Sequence, residues 1–363
     1  MSALRKFTHR PAPETKVSSG LDSSGPEDEL YSTEGPTGIK VVANPSDATV
    51  DIVFVHGLTG NREKTWTHRN GTFWPRALLP EDFLRARIMT FGYDADVVRF
   101  WTIANSNRLD DHGKSLAYAV LDQRLQLGPR PIVFIAHSLG GLVCEEALAL
   151  SDKRQDLRSI LTDTLGIIFI GTPHGGSYLA SWGATMAKYM NIFRGTNREI
   201  LQNLQPGSSD LQRVEEDFQH MLRRHDINLK VYCFYEALKM NDTIGKIVES
   251  ESAKLAAYDN CSINADHRNM TKFTGRTDAG YGQVRGVLNR WINDYECCPP
   301  PSSTTNTTPK SNGTKDDSQG GATSYGGPVF NAPISGRFVI PGAYTTGGTV
   351  NFNFNEGSSN NPE

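Results

Sequence analysis

The chain predicts an α/β domain built on a mostly parallel sheet. Three runs carry that expectation: DIVFVHG, PIVFIAHSLGG and LGIIFIGTPHGG. Each is short, rich in β-branched and aromatic residues, and closed by a glycine-containing loop, as central parallel strands are. Stretches of helical pattern separate them, which is the alternation of an α/β layer structure.

Taken in order, residues 1–38 are rich in Ser, Pro, Gly and Glu, and they read as a disordered leader. Residues 39–295 form the expected folded domain. Residues 296–324, including PPPSSTTNTTPKSNGTKDDSQGGATS, read as a low-complexity linker. Residues 325–355 are Gly- and Asn-rich, nearly uncharged and studded with Val, Ile and Phe, and residues 356–363 close the chain as a polar terminus. At 363 residues there is room for one large domain with tails.

Composition narrows the function. A net charge of -3 and the lack of a basic stripe argue against nucleic-acid binding. The start, MSALRKFTHR, has no apolar h-region, so a signal peptide is not expected. No run of about 18 apolar residues predicts a membrane span. Cys144, Cys233, Cys261, Cys297 and Cys298 are an odd set without framework spacing, which suits reduced thiols in a cytoplasmic protein.

Ligand sites of open α/β sheets lie at the carboxyl ends of strands, so the polar clusters after the three runs should share one rim. Ala136-His137-Ser138-Leu139-Gly140 follows a strand and precedes the helical stretch LVCEEALAL. That is the strand–turn–helix setting of a nucleophile elbow, with Ala136 in place of the first glycine. Ser138 is the expected nucleophile. An oxyanion needs two N–H donors. Leu139, at the helix start, supplies one, and Leu58, after His56-Gly57 on the first buried strand, supplies the other.

The base should follow the serine in the chain. His220 and His225 lie in the charged stretch EEDFQHMLRRH and read as solvated. His174, in GTPHGGS, reads as a pocket-shaping residue together with His56, Gly57 and His137. His267, in NADHRNMTKF, precedes the helical VRGVLNRWI and is the expected base. For the acid, KVYCFYEALK reads as a strand with Glu236 at its carboxyl end. Asp242, Glu249 and Glu251 remain alternatives. Between residues 175 and 226 an insertion carries Leu179, Trp182, Met186 and Met190 at helical spacing. It fits either a lid over an acyl pocket or a helix packed on the core.

These motifs together resemble a known group. VFVHGLTG, RIMTFGYDAD, FIAHSLGGLV, IIFIGTPHGGS, FYEALKM and DHRNMTKF are similar to the α/β-hydrolase domain of fungal SesB-like, lipase- or esterase-type proteins associated with NOD-like receptors. The resemblance covers roughly residues 39–295. It implies the α/β-hydrolase fold, Ser138 as nucleophile, His267 as base, Glu236 as acid and Leu58 and Leu139 at the oxyanion hole, with no metal or organic cofactor. The tail, GPVFNAPISGRFVIPGAYTTGGTVNFNFN, resembles the sigma prion-forming motif. That likeness implies a cytoplasmic cell-death effector in heterokaryon incompatibility or innate immunity. A NOD-like receptor bearing a matching motif would be its partner, and recruitment to membranes is expected on activation.

The tail can also be read physically. In VNFNFN, Val350, Phe352 and Phe354 alternate with Asn351, Asn353 and Asn355, so stacked copies would make an aromatic face and an amide ladder. Arg337 is the only charged residue from Gly320 to Asn355, so stacking meets little repulsion. Self-assembly through the tail is therefore expected, against the alternative of a sticky tail without specific role. Two other functions stay open: a catalytically silent hydrolase-fold module, and a housekeeping esterase. The acyl substrate, lipid or protein-borne, is not legible.

Overall fold

A computed structural model of the chain describes residues 35–95, 107–125, 127–174, 185, 209–297, 343–346 and 349–352. Most of the leader, the linker and the tail, and the part of the insertion carrying Leu179, Trp182, Met186 and Met190, lie outside the described residues; at the edges of the expected boundaries Gly38 already belongs to a strand, and Glu296 and Cys297 still belong to a helix. The chain divides into two units, residues 1–302 and 303–363, and each is taken by itself.

The first unit is a seven-stranded sheet with helices on both faces. The strands are β1 (Gly38–Ala43), β2 (Val50–Val55), β3 (Ala86–Gly92), β4 (Ile132–His137), β5 (Thr164–Ile170), β6 (Lys230–Glu236) and β7 (Asp259–Ile263). Their order is β1-β3-β2-β4-β5-β6-β7. Among the described strands of this sheet, only β1 runs antiparallel, against β3. The longer helices are α1 (Asn107–Asp122), α2 (Leu139–Lys153), α3 (Arg158–Asp163), α4 (Ser209–Leu222) and α5 (Ala279–Cys297).

The central strands read as continuous apolar runs because both faces are covered. Val53, Val55, Phe134, Ala136, Ile167 and Phe169 point to the face packed by Leu116, Val120, Leu142 and Val143. Their neighbours Ile52, Phe54, Val133, Ile135, Ile168 and Ile170 point to the other face, against Trp66, Trp74, Val284 and Leu288. The period of two sorts one sequence onto two cores. Within the insertion, α4 buries Val214, Phe218 and Met221, so this part packs on the core. Burial in α2 is nearly complete, from Leu139 through Ala149.

The amino ends of the strands are pinned by charge. The fully buried Asp51 carboxylate accepts from Arg87 Nε at 2.9 Å and Arg124 at 2.6 Å, and Arg130 Nε lies 3.0 Å away. Asp163 takes the other arm of Arg124 at 2.6 Å. A buried carboxylate is tolerated when its lone pairs are matched in this way. The opposite, carboxyl ends of β2, β4, β5 and β6 are left for the site.

In the second unit, β8 (Ala343–Thr346) and β9 (Thr349–Phe352) pair as an antiparallel hairpin with Thr346 opposite Thr349 and Ala343 opposite Phe352. Asn353, Phe354 and Asn355 lie outside the described residues.

Candidate active site

The turn from β4 into α2 places Ser138. Its backbone sits at φ 52° and ψ -127°. A side chain is strained there, and such strain concentrates at functional sites. Among the described residues, one other non-glycine has positive φ: Thr59, at 58°. It lies in the loop after β2, next to Leu58, so both strained residues belong to the same rim. Small neighbours make the turn possible. A Cβ on Gly140 would stand 2.4 Å from the His56 carbonyl oxygen, and one on Gly141 would stand 2.2 Å from Thr172 Oγ1. At the start of α2 the Leu139 N–H has no partner within the helix, as first-turn donors never do.

His267 is carried by the loop between β7 and α5. Asp266 Oδ1 accepts from the N–H groups of Arg268 and Asn269, both at 3.0 Å. Further along, Thr271 Oγ1 donates to the Thr65 carbonyl at 2.8 Å, and Trp74 Nε1 donates to the Thr271 carbonyl at 2.8 Å. These bonds clamp the histidine loop to the segment after β2. Glu236 ends β6 and is fully buried. Its Oε1 lies 3.7 Å from His267 Nδ1 and accepts the Val248 N–H at 2.6 Å. The alternative carboxylates Asp242, Glu249 and Glu251 are all exposed. Lys254 binds Glu251 at 3.0 Å.

Ser138 and His267 line one cleft of about 300 Å³. Leu58, Thr59, His137, Met240 and Ile247 share its wall, with Lys64, Arg268 and Lys272 at the same cleft. Four buried polar atoms here lack a hydrogen-bond partner among the described residues: Ser138 Oγ, both ring nitrogens of His267, and Glu236 Oε2. Buried polar groups are ordinarily paired, and exceptions cluster where chemistry waits for a substrate. A serine on a strained turn, an imidazole and a buried carboxylate are the parts that nucleophilic acyl transfer needs.

The remaining expected site residues take different places. His137 lines the cleft. Its Nε2–H donates to the His267 carbonyl at 3.0 Å, and burial, with His267 close by, pushes its pKa well below the usual imidazole range. Gly57 lies against Ser138. His56 is buried behind the rim and does not line the cleft. Its Nδ1–H donates to the Gly57 carbonyl at 3.0 Å, its ring stacks on Tyr93 at 4.5 Å, and burial pushes its pKa down to about 4. His174 is likewise buried away from the cleft, and its Nδ1 lies 2.9 Å from Glu145 Oε1. Glu145 is not among the expected site residues. The available signal was a pair of glutamates, Glu145 and Glu146, inside an otherwise apolar helix.

Residues 52–237, more than half the chain, match the α/β-hydrolase family. The chain belongs to the α/β-hydrolase family. This hydrolase is similar to Protein SERAC1 of Bos taurus and of Homo sapiens, each 28% identical over 248 residues. Those matches cover 61% of this chain and 36% of the relative, so the α/β-hydrolase chain spans about a third of the length of these curated relatives. Among solved structures, a lipase-esterase related protein from Clostridium acetobutylicum aligns at TM-score 0.41 and 10% identity, covering 71% of this chain and 100% of that one. Mouse alpha/beta hydrolase domain-containing protein 10 aligns at TM-score 0.38 and 13% identity, covering 70% and 93%. No helix among the described residues is long and apolar enough to cross a membrane.

Proposed function

We propose that this α/β hydrolase is a serine ester hydrolase of lipase or esterase type. Ser138 Oγ attacks the acyl carbonyl while His267 takes its proton, and Glu236 stabilises the resulting imidazolium. The N–H groups of Leu58 and Leu139 receive the oxyanion. His267 then gives its proton to the leaving alcohol. Water, activated by the same ring, attacks the acyl-serine, and the acid is released.

The observation that carries the proposal is a single convergence. A serine at φ 52° shares a cleft with a histidine whose Nδ1 is 3.7 Å from a fully buried carboxylate. A fluorophosphonate probe tests it. Ser138 should be labelled in the wild type, with no labelling after Ser138→Ala. Equal labelling of the two proteins would end the assignment.

The finer reading rests on the tail. An alternating Val/Phe/Asn segment, nearly free of charge, supports a role as a templated amyloid switch. In that role a NOD-like receptor with a matching motif nucleates the tail. Assembly then concentrates the hydrolase domains, with membrane lipid or another acyl ester as substrate. Cell death in fungal incompatibility or immunity is the outcome this reading assigns to the protein.

A further inference from the structure

The fold contains a second buried histidine–carboxylate pair that the acyl-transfer steps do not use. Glu145 lies on α2, two helical turns beyond Ser138, and His174 lies in the loop after β5. The two side chains are 0% and 2% exposed and 2.9 Å apart. Burial raises the Glu145 carboxyl above its usual range. Burial alone would lower His174, but its Cys233 and Glu145 neighbours outweigh that and raise it to about 10.

The consequence lies in what His174 holds. Its backbone N–H donates to the Ser252 carbonyl at 2.6 Å, and Ser252 Oγ donates back to the His174 carbonyl at 3.1 Å. Ser252 belongs to the loop between β6 and β7. A turn within that loop closes with the Ala253 N–H donating to the Glu249 carbonyl at 3.0 Å. Just before the turn, Ile247 and Val248 are buried, and the Val248 N–H is the donor to Glu236 Oε1. The contacts therefore run from the serine's helix through Glu145, His174, Ser252 and Val248 to the carboxylate beside His267.

We propose that the Glu145–His174 pair is a positioning device for Glu236, fastening the 247–253 loop to the nucleophile helix so that serine, histidine and acid keep one mutual geometry. It rests on the reading of Glu236 as the acid. His174 and Glu145 touch neither the cleft nor the reacting atoms; they act through Val248 and Glu236.

Steady-state kinetics on a short neutral acyl ester, with the full chain, test this. His174→Gln should lower kcat by roughly tenfold to a hundredfold, the scale of a small misplacement of reacting groups. KM should stay within about threefold, because the cleft wall is unchanged. Ser252→Ala, which removes a single hydroxyl bond, should change kcat in the same direction by less. The decisive measurement is the double variant. In a Glu236→Gln background, His174→Gln and Ser252→Ala should cost almost nothing more, because the group they position is already disabled. Full multiplicative loss in the double variant, or wild-type kcat in the singles, overturns the proposal. If His174→Gln does not fold, the Ser252→Ala pair decides by the same criterion. Wild-type kcat in Glu236→Gln alone instead removes the acid assignment on which the proposal stands, and that result is distinct from the others.

Discussion

Gly57 and Ser138 are in contact across two loops: a Cβ added at Gly57 would stand 2.6 Å from the Ser138 Cβ and 2.8 Å from the His137 carbonyl oxygen. The glycine is therefore a spacing requirement between the loop after β2 and the elbow. Gly57→Ala must push these two segments apart, because a backbone carbonyl cannot yield as a flexible side-chain tip would. The expected outcome is a loss of kcat of roughly a hundredfold, with the far-ultraviolet circular dichroism of the wild type. Unchanged turnover would show that the two loops separate without cost to the chemistry.

The backbone at Ser138 predicts a stability effect opposite to its effect on activity. At φ 52° a Cβ is penalised and glycine is not. Ser138→Ala and Ser138→Gly both remove the hydroxyl, so their difference isolates the backbone. Ser138→Gly should be the more stable by about 1 kcal/mol in denaturant unfolding. Neither should turn over ester. An alanine variant as stable as the glycine variant would mean the turn relaxes.

His56 predicts an acid-labile component of stability. Burial lowers its pKa to about 4 from the usual 6.5. The groups facing it are the Gly57 carbonyl, Tyr93, His112 and, on β4, His137. The unfolded chain binds a proton to this imidazole more readily than the folded one does. Its contribution is thus fully present above about pH 6.5 and is lost as pH falls toward 4, a change of about 3 kcal/mol. His56→Gln should be less stable than wild type at pH 7, and the gap should narrow by pH 4.5. Parallel stability–pH curves for the two proteins would remove His56 as the source.

The tail reading predicts an uncoupling. Asn353→Asp places identical carboxylates at the ~4.8 Å spacing of stacked strands, where they repel. Thioflavin-T kinetics should show assembly blocked, while soluble ester turnover stays at the wild-type rate. Fibrils forming as fast as in wild type would restore the view of a tail without specific assembly.

Several parts of this protein were legible in the residue string. The runs at β2, β4 and β5 announced themselves because strands buried on both faces must be apolar at every position. The elbow was equally plain, since Ala136, Ser138, Gly140 and Gly141 meet a steric demand that acts over five or six consecutive residues. Chain order and a place before a helix single out His267 as the expected base. In each case the determining physics is local.

Other features depend on groups distant in sequence. Glu236 became distinguishable from Asp242, Glu249 and Glu251 through its burial and its 3.7 Å approach to His267, both set by the register of β6 beside β5 and β7. The antiparallel placement of β1 and the three arginines gathered on Asp51 likewise required the assembled sheet. His56 and His174 looked like pocket residues because their loops end at the rim. The fold turned both side chains inward, one onto Tyr93 and the other onto Glu145. Sequence alone determined which segments are strands and where a serine could sit on a strained turn, because backbone sterics and apolar periodicity act between neighbours. Tertiary structure decided which carboxylate meets which histidine, because burial and pairing of charge are properties of the assembled core.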